Sequence, residues 1–237
     1  GTILSAGTPL GTNRDAVIET PDGFNGDIEQ IRSRRSLGKG DTYNTLGSQS
    51  KATAEQLRAA GQAYPQWVTD RYLGLPRNLP QRVRDEAERV ASPGQTPYDR
   101  AVLLEEYLRS FPYNLQVPAA PPKRDAVDYF LFDLKAGYFD YQATAMAVML
   151  RSLGIPARLA VGYVLDASEV NETTYTVRKD DVYSWVEVYF PEYGWINFNP
   201  TPDKPSSTGG FGGEVDPGEL LEVGGEERRE VGRLCEG

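Results

Sequence analysis

The stretch Gly137–Gly162, GYFDYQATAMAVMLRSLGIPARLAVG, decides the fold. Residues 140–153 read as a helix. Ala143, Ala147, Leu150 and Leu153 fall near one face, and Met146, Val148 and Met149 widen it into a broad apolar stripe. Ala143, Thr144, Ala145 and Ala147 add little bulk, so neighbouring backbone can approach closely. Gly154 supplies a left-handed C-cap, and Pro156 prevents the helix from resuming. Residues 158–164 then read as a strand entering the core.

Downstream, residues 173–178 and 182–190 alternate like strands. Glu192–Gly194 reads as a turn and residues 195–198 as a further strand. The polar residues 166–172, between the strand at 158–164 and the one at 173–178, are the expected mobile loop over the cleft. Upstream, Thr96-Pro97-Tyr98-Asp99 is a helix start: Thr96 caps, Pro97 takes the first position and Asp99 the acidic third. That helix runs to about residue 110, with Ala101, Leu104, Tyr107, Leu108 and Phe111 as its buried stripe. Residues 80–90 form another, with Val83, Ala87 and Val90 inside and Arg82, Arg84, Asp85, Glu86, Glu88 and Arg89 as a solvated face. Thr53-Ala54-Glu55-Gln56 is a capping box opening a short helix. Trp67 and Tyr72 read as core anchors of a long connection, with a ligand platform as the sharper alternative. Tyr129, Phe130 and Phe132 lie close in sequence to Tyr138, Phe139 and Tyr141, which predicts an aromatic wall at the start of the central helix. The fold class is α+β: a helical layer on an antiparallel sheet, with the central helix buried between them.

Three segments are expected: an extended or strand-containing residues 1–50, a folded domain over 51–202 and a Gly/Glu-rich flexible tail over 203–237. In the first, residues 17–18 and 41–46 read as short strands. Arg32, Arg34, Arg35 and Lys39 there are surface charge on the bland reading and an anion site on the sharper one. The tail, with the start at Gly1, suggests a piece of something longer.

Composition excludes more than it suggests. The net charge of −9 argues against nucleic acid as a partner. No apolar run has the length of a membrane span and no signal peptide is present. The single cysteine, Cys235, allows no internal disulfide and lies far from the folded residues, a poor nucleophile candidate. Histidine is absent altogether. Without it a Cys-His pair, a Ser-His-Asp triad or a His-containing metal site cannot be built. No cofactor and no metal site is assigned; no carboxylate run has EF-hand spacing, and metal binding by the many surface carboxylates stays open.

The same stretch resembles the nucleophile helix of the transglutaminase-like superfamily, which shares the papain-like fold. The family's pattern, Gly-Tyr-Cys-acid-x-x-Ala-Thr-Ala followed by Leu-Gly-Ile-Pro-Ala-Arg and Gly-Tyr, appears as residues 137–145, 153–158 and 162–163. Residues 183–189, YSWVEVY, resemble the histidine-bearing strand, and residues 195–202, WINFNPTP, the acid-bearing one. Tyr64-Pro65, residues 71–76, 107–109 and 128–132 extend the likeness to membrane-anchored bacterial proteins of the TgpA type, over roughly residues 50–202.

What the resemblance implies is a frame without its chemistry. Cysteine, histidine and acid are replaced by Phe139, Tyr183 and Asn199. Phenylalanine cannot attack a carbonyl. Tyrosine, with an ordinary pKa of ~10, is no ready base near neutral pH. Asparagine is uncharged. The resemblance therefore points to a pseudoenzyme: a non-catalytic extracytoplasmic domain of a membrane-anchored bacterial protein. Its expected partner is a protein or peptide bound in a residual cleft around Tyr138, Asp140, Tyr141, Gln142 and Trp185. Two alternatives stand beside it: an enzyme using Asp140 or another carboxylate with Tyr183, and a structural module between membrane segments. The sequence does not fix an oligomeric state.

Overall fold

The computed structural model describes residues 1–20, 27–163, 177 and 181–202, which fall into two compact units divided after residue 49. The expectations for residues 166–172, for most of the strand at 173–178, for the tail and for Cys235 lie outside the described residues.

The smaller unit is all β among its described residues. Strand β1 (Thr2–Ile3) pairs with β4 (Gln30–Ser33), which pairs with β3 (Ala16–Glu19), all antiparallel. Strand β2 (Thr8–Thr12) pairs separately with β5 (Thr45–Ser48), across a bulge between Pro9 and Gly11. Ile3, Ile31 and Tyr43 form the core, and the Tyr43 hydroxyl accepts the Leu4 N–H. Residues 17–18 fall within β3. The strand expected at 41–46 begins only at Thr45, and β1, β2 and β4 carry no alternation long enough to announce them.

The larger unit builds outward from the central helix. Helix α1 (Ala54–Ala59) opens with the capping box at Thr53 and Gln56. Tyr72 is buried as a core anchor against Trp195, and Trp67 packs edge-on to Tyr72 and Tyr189. Trp67 and Tyr72 sit on a short helix, α2 (Gln66–Tyr72), which starts directly after Pro65 with no side-chain cap and so lacks the usual sequence signal. Helix α3 (Gln81–Ala91) buries Val83, Ala87 and Ala91, and α4 (Pro97–Arg109) is capped by Thr96 with Pro97 in its first turn. Helix α5 (Ala126–Tyr129) passes into a π-helical turn (Phe130–Leu134), ended by Lys135 in a left-handed conformation.

The central helix, α6, spans Phe139–Ser152. Its broad apolar face is accounted for on two sides: it packs against α3 and α4 on one and against strands β6 (Ala157–Tyr163) and β7 (Val182–Phe190) on the other. Ala143, Ala145, Met146, Met149 and Leu150 are wholly inaccessible. Each of the larger three contributes about 1.5–3 kcal/mol on burial. Gly154 stands at φ +74°, and a side chain added there would meet no neighbour, so the position needs glycine for its backbone angle alone. Strand β8 (Gly194–Phe198) completes an antiparallel sheet in the order β6–β7–β8. The architecture is thus α+β, helices packed on antiparallel sheet.

The outer face of α3 is less idle than its charge suggests. Arg82 reaches the buried Asp128 and also lies near Asp133, while Arg124 bonds Asp128 from below (2.9 Å). Glu86 accepts a hydrogen bond from the Tyr107 hydroxyl (2.6 Å) and pairs with Arg89. The Arg82 guanidinium also stacks 4.3 Å from the Phe132 ring. These contacts fix α5 and the π-turn against α3, and with them the approach to α6.

Candidate functional site

The site lies at the N-terminus of α6, where two consecutive residues of β7 hold two consecutive residues of the helix. Tyr183 packs its ring on Phe139, centroids 5.0 Å apart. Ser184 donates its hydroxyl hydrogen to Asp140 Oδ1 at 2.8 Å. Helix α6 has no side-chain cap at Tyr138, so Asp140 in the first turn supplies the favourable negative charge there.

Behind Phe139, the Tyr183 hydroxyl donates to Asn199 Oδ1 at 2.8 Å. The same oxygen accepts the Thr201 N–H at 3.2 Å. Phe139, Tyr183 and Asn199 therefore form one connected group, ring on ring and then hydroxyl on amide. Tyr183 is 4% exposed and Asn199 wholly buried. Burial is the main reason the Tyr183 phenol is pushed up to about 12, with its hydrogen bonds opposing the shift. At neutral pH it is a neutral donor and no base.

Two residues that sequence reasoning did not single out complete the group. Glu105 of α4 is 1% exposed, and its carboxylate accepts the Asn199 backbone N–H at 2.7 Å. Arg109, one turn on, donates to the carbonyl oxygens of Asn199 (2.9 Å) and Thr201 (2.6 Å). Together they clamp the segment that follows β8. The signal was present in the sequence. Residues 101, 104, 105 and 108 follow i, i+3, i+4, i+7 spacing, which places Glu105 within the buried stripe. Tyr107, assigned to that stripe, is only partly buried and turns its hydroxyl to Glu86.

The remaining candidates divide. Tyr138 and Tyr141 join an unbroken aromatic run, Phe111–Phe130–Tyr141–Tyr138–Phe139–Tyr183, with successive centroids 5.0–5.6 Å apart. Asp140 is exposed beside it. Gln142 is completely buried: its amide donates to the Gly137 carbonyl at 3.4 Å and its Oε1 has no partner. It belongs to the wall behind the site. Trp185 donates its indole N–H to Asn197 Oδ1 at 3.1 Å and lays its ring over Gly162, the residue opposite Tyr183 in the β-ladder. A Cβ at Gly162 would come within 2.9 Å of that ring, so glycine is required there for the close approach. Among the described residues, no group of acidic or thiol side chains is arranged to hold a metal ion.

Exposed apolar side chains lie on the segments that pair with Gly137 and with β7. Tyr113 bridges to Gly137 and is 42% exposed, and its phenol is raised first by burial and then by the Asp140 charge. Val161 lies opposite Ser184 in the ladder and is 73% exposed; Val182 is 39% exposed.

The sequence and the fold have known relatives. Residues 84–200 match the profile described as "Transglutaminase-like superfamily". YebA of Bacillus subtilis is 43% identical over 182 residues, covering 73% of this chain and 24% of YebA. A protein-glutamine gamma-glutamyltransferase of Pseudomonas aeruginosa is 37% identical over 135 residues, 55% of this chain and 20% of that protein. The chain thus spans about a quarter or less of these relatives. The crystal structure of the periplasmic domain of TgpA from Pseudomonas aeruginosa superposes with a TM-score of 0.60 at 26% identity, covering 83% of this chain and 66% of that one. The same domain bound to ethylmercury gives 0.58. Residues 84–200 of this chain carry a transglutaminase-like superfamily domain, and the chain is similar to the periplasmic domain of TgpA.

Proposed function

We propose that this transglutaminase-like domain is a pseudoenzyme that binds an extended apolar segment of a protein or peptide at the mouth of its former thiol site. The observation that carries the reading is the Phe139–Tyr183–Asn199 group. A thiol mechanism needs a nucleophile, a base and an orienting acid in one line. Here the line holds a hydrocarbon ring, a phenol that stays neutral and a neutral amide. The Pseudomonas relative bears the name of a glutamine acyltransferase; that activity requires a nucleophile absent from this position. Supporting the binding half are exposed apolar side chains on the segments that flank the group: Tyr113, whose residue bridges to Gly137, Val161, opposite Ser184, and Val182, next to Tyr183.

Two experiments test the two halves of the proposal. In a Cys235→Ser background, Phe139→Cys should create a thiol whose alkylation midpoint lies roughly 1–3 pH units below that of a free cysteine, because it stands in the first turn of a helix. Adding Tyr183→His and Asn199→Asp should lower it further. A thiol that alkylates like a free one in both variants means that the register of the three positions is wrong. For binding, a random dodecapeptide phage library panned against the whole chain should yield apolar sequences whose capture is lost in Val161→Asp/Val182→Asp. No enrichment, or enrichment that survives the double substitution, favours a purely structural module.

A further inference from the structure

The smaller unit contains a cleft of about 470 Å³ lined by Asn13, Arg14, Asp15, Arg35 and Thr42. Its charges can be balanced pair by pair. Arg14 is fixed from three sides: Nε donates to Ser33 Oγ (3.2 Å), one terminal nitrogen to Asp41 (3.1 Å) and the other to the Thr42 carbonyl (3.4 Å). Asp41 is thereby committed, and it also accepts the Gly38 N–H at 2.8 Å, the main reason its carboxyl sits below the ordinary range. Asp15 pairs with Arg34 at 3.1 Å, both side chains being well exposed. Arg32, from the same basic run, is paired with Glu19 outside the cleft. Arg35 is left over: it is exposed on the cleft wall, and among the described residues no carboxylate pairs with it.

The neutral lining points the same way. Asn13 uses its Oδ1 to accept the Asn44 N–H at 2.9 Å, which leaves its amide N–H groups as the available side. Thr42 has its carbonyl occupied by Arg14 and adds a hydroxyl. The lining therefore offers one uncompensated guanidinium, an amide donor and a hydroxyl, in a chain whose overall charge is −9. A guanidinium with flanking neutral donors matches the two oxygens of a carboxylate or a phosphate.

We infer that this cleft of the smaller unit binds a small oxyanion, held by Arg35 with Asn13 and Thr42. The inference is independent of the pseudoenzyme reading, because every residue in it lies before residue 49. It uses one member of the basic run and disposes of two others as internal pairs.

The test is a ¹H–¹⁵N titration of the whole chain at low ionic strength, with sodium N-acetylglycine in one arm and inorganic phosphate in the other. Saturable shifts are expected at Asn13, Arg35 and Thr42. Arg35→Ala should weaken binding about tenfold or more. Lys39→Ala, which removes the same charge from the same unit outside the cleft lining, should change it less than about twofold. Arg34→Ala should also weaken binding, since it unmasks the Asp15 carboxylate inside the cleft. Saturation only with N-acetylglycine assigns the site to carboxylates such as a peptide terminus, and saturation only with phosphate assigns it to phosphoryl groups. Saturation in neither arm overturns the inference, as does a Lys39→Ala loss equal to that of Arg35→Ala. Arg35 is exposed and, among the described residues, makes no hydrogen bond or ion pair, so the variant tests binding and not folding.

Discussion

Replacing Tyr183 by phenylalanine separates the hydroxyl's role from the ring's. The ring's contact with Phe139 survives the change. What disappears is one buried hydrogen bond to Asn199 Oδ1, at 2.8 Å. Asn199 Oδ1 keeps the Thr201 N–H, so it is not orphaned. The expected loss at pH 7 is therefore that of a single neutral bond, about 0.5–1.5 kcal/mol. Alkali offers a second reading of the same group. The folded-state pKa of Tyr183 is raised to about 12, against ~10 for an unfolded tyrosine. A raised pKa stabilises the fold fully below the unfolded value and is lost as pH rises through the folded one. By pH ~11.5 the wild-type protein should have lost about 2 kcal/mol through this residue alone, and Tyr183→Phe should not show that loss. Urea unfolding followed by tryptophan fluorescence reports the larger unit selectively, because Trp67, Trp185 and Trp195 all lie within it. The variant should start less stable at pH 7 and converge with or overtake the wild type above pH ~11. Parallel stability curves across that range would refute the reasoning, since they would mean that the hydroxyl is neither buried nor bonded.

On the acid side, Asp128 is 4% exposed, and its carboxyl is held below the ordinary range chiefly by hydrogen bonds from Arg82, against the opposing effect of burial. A lowered pKa contributes stability above the unfolded value of ~4, lost as pH falls through the folded one; Asp128→Asn should remove that share of the acid transition and cost about 2–3 kcal/mol at pH 7, below the full cost of a buried pair because Arg82 is half exposed. An unchanged acid midpoint in Asp128→Asn would count against the ion pair. Gly154→Ala should cost about 1 kcal/mol in the same urea assay, from the positive φ alone, since no atom stands in the way of the added methyl.

Much of the frame was legible in the chain itself, and each legible part has a local cause. The central helix could be read because its apolar width, its glycine stop and Pro156 are all encoded within one stretch. The capping box at Thr53 and the start at Thr96 and Pro97 are likewise local hydrogen-bonding and backbone preferences, and they stand where the sequence put them. The loss of thiol chemistry was legible too: a chain without histidine cannot build a cysteine–histidine pair, whatever its fold. What only tertiary structure decided is which side chains meet. Glu105 and Arg109 lie 94 and 90 residues from their Asn199 partner, and no local pattern encodes a contact across that separation. The seating of Tyr183 on Phe139 depends on β7 delivering two successive residues to the first turn of α6. Helix α2 carried no cap to announce it, and in the smaller unit the pairing of Arg34 with Asp15 and of Arg14 with Asp41, which leaves Arg35 over, is a matter of strand register. Periodicity and capping are written residue by residue. Charge balance and burial of polar groups belong to the packed molecule, because they depend on neighbours that the chain brings together only when it folds.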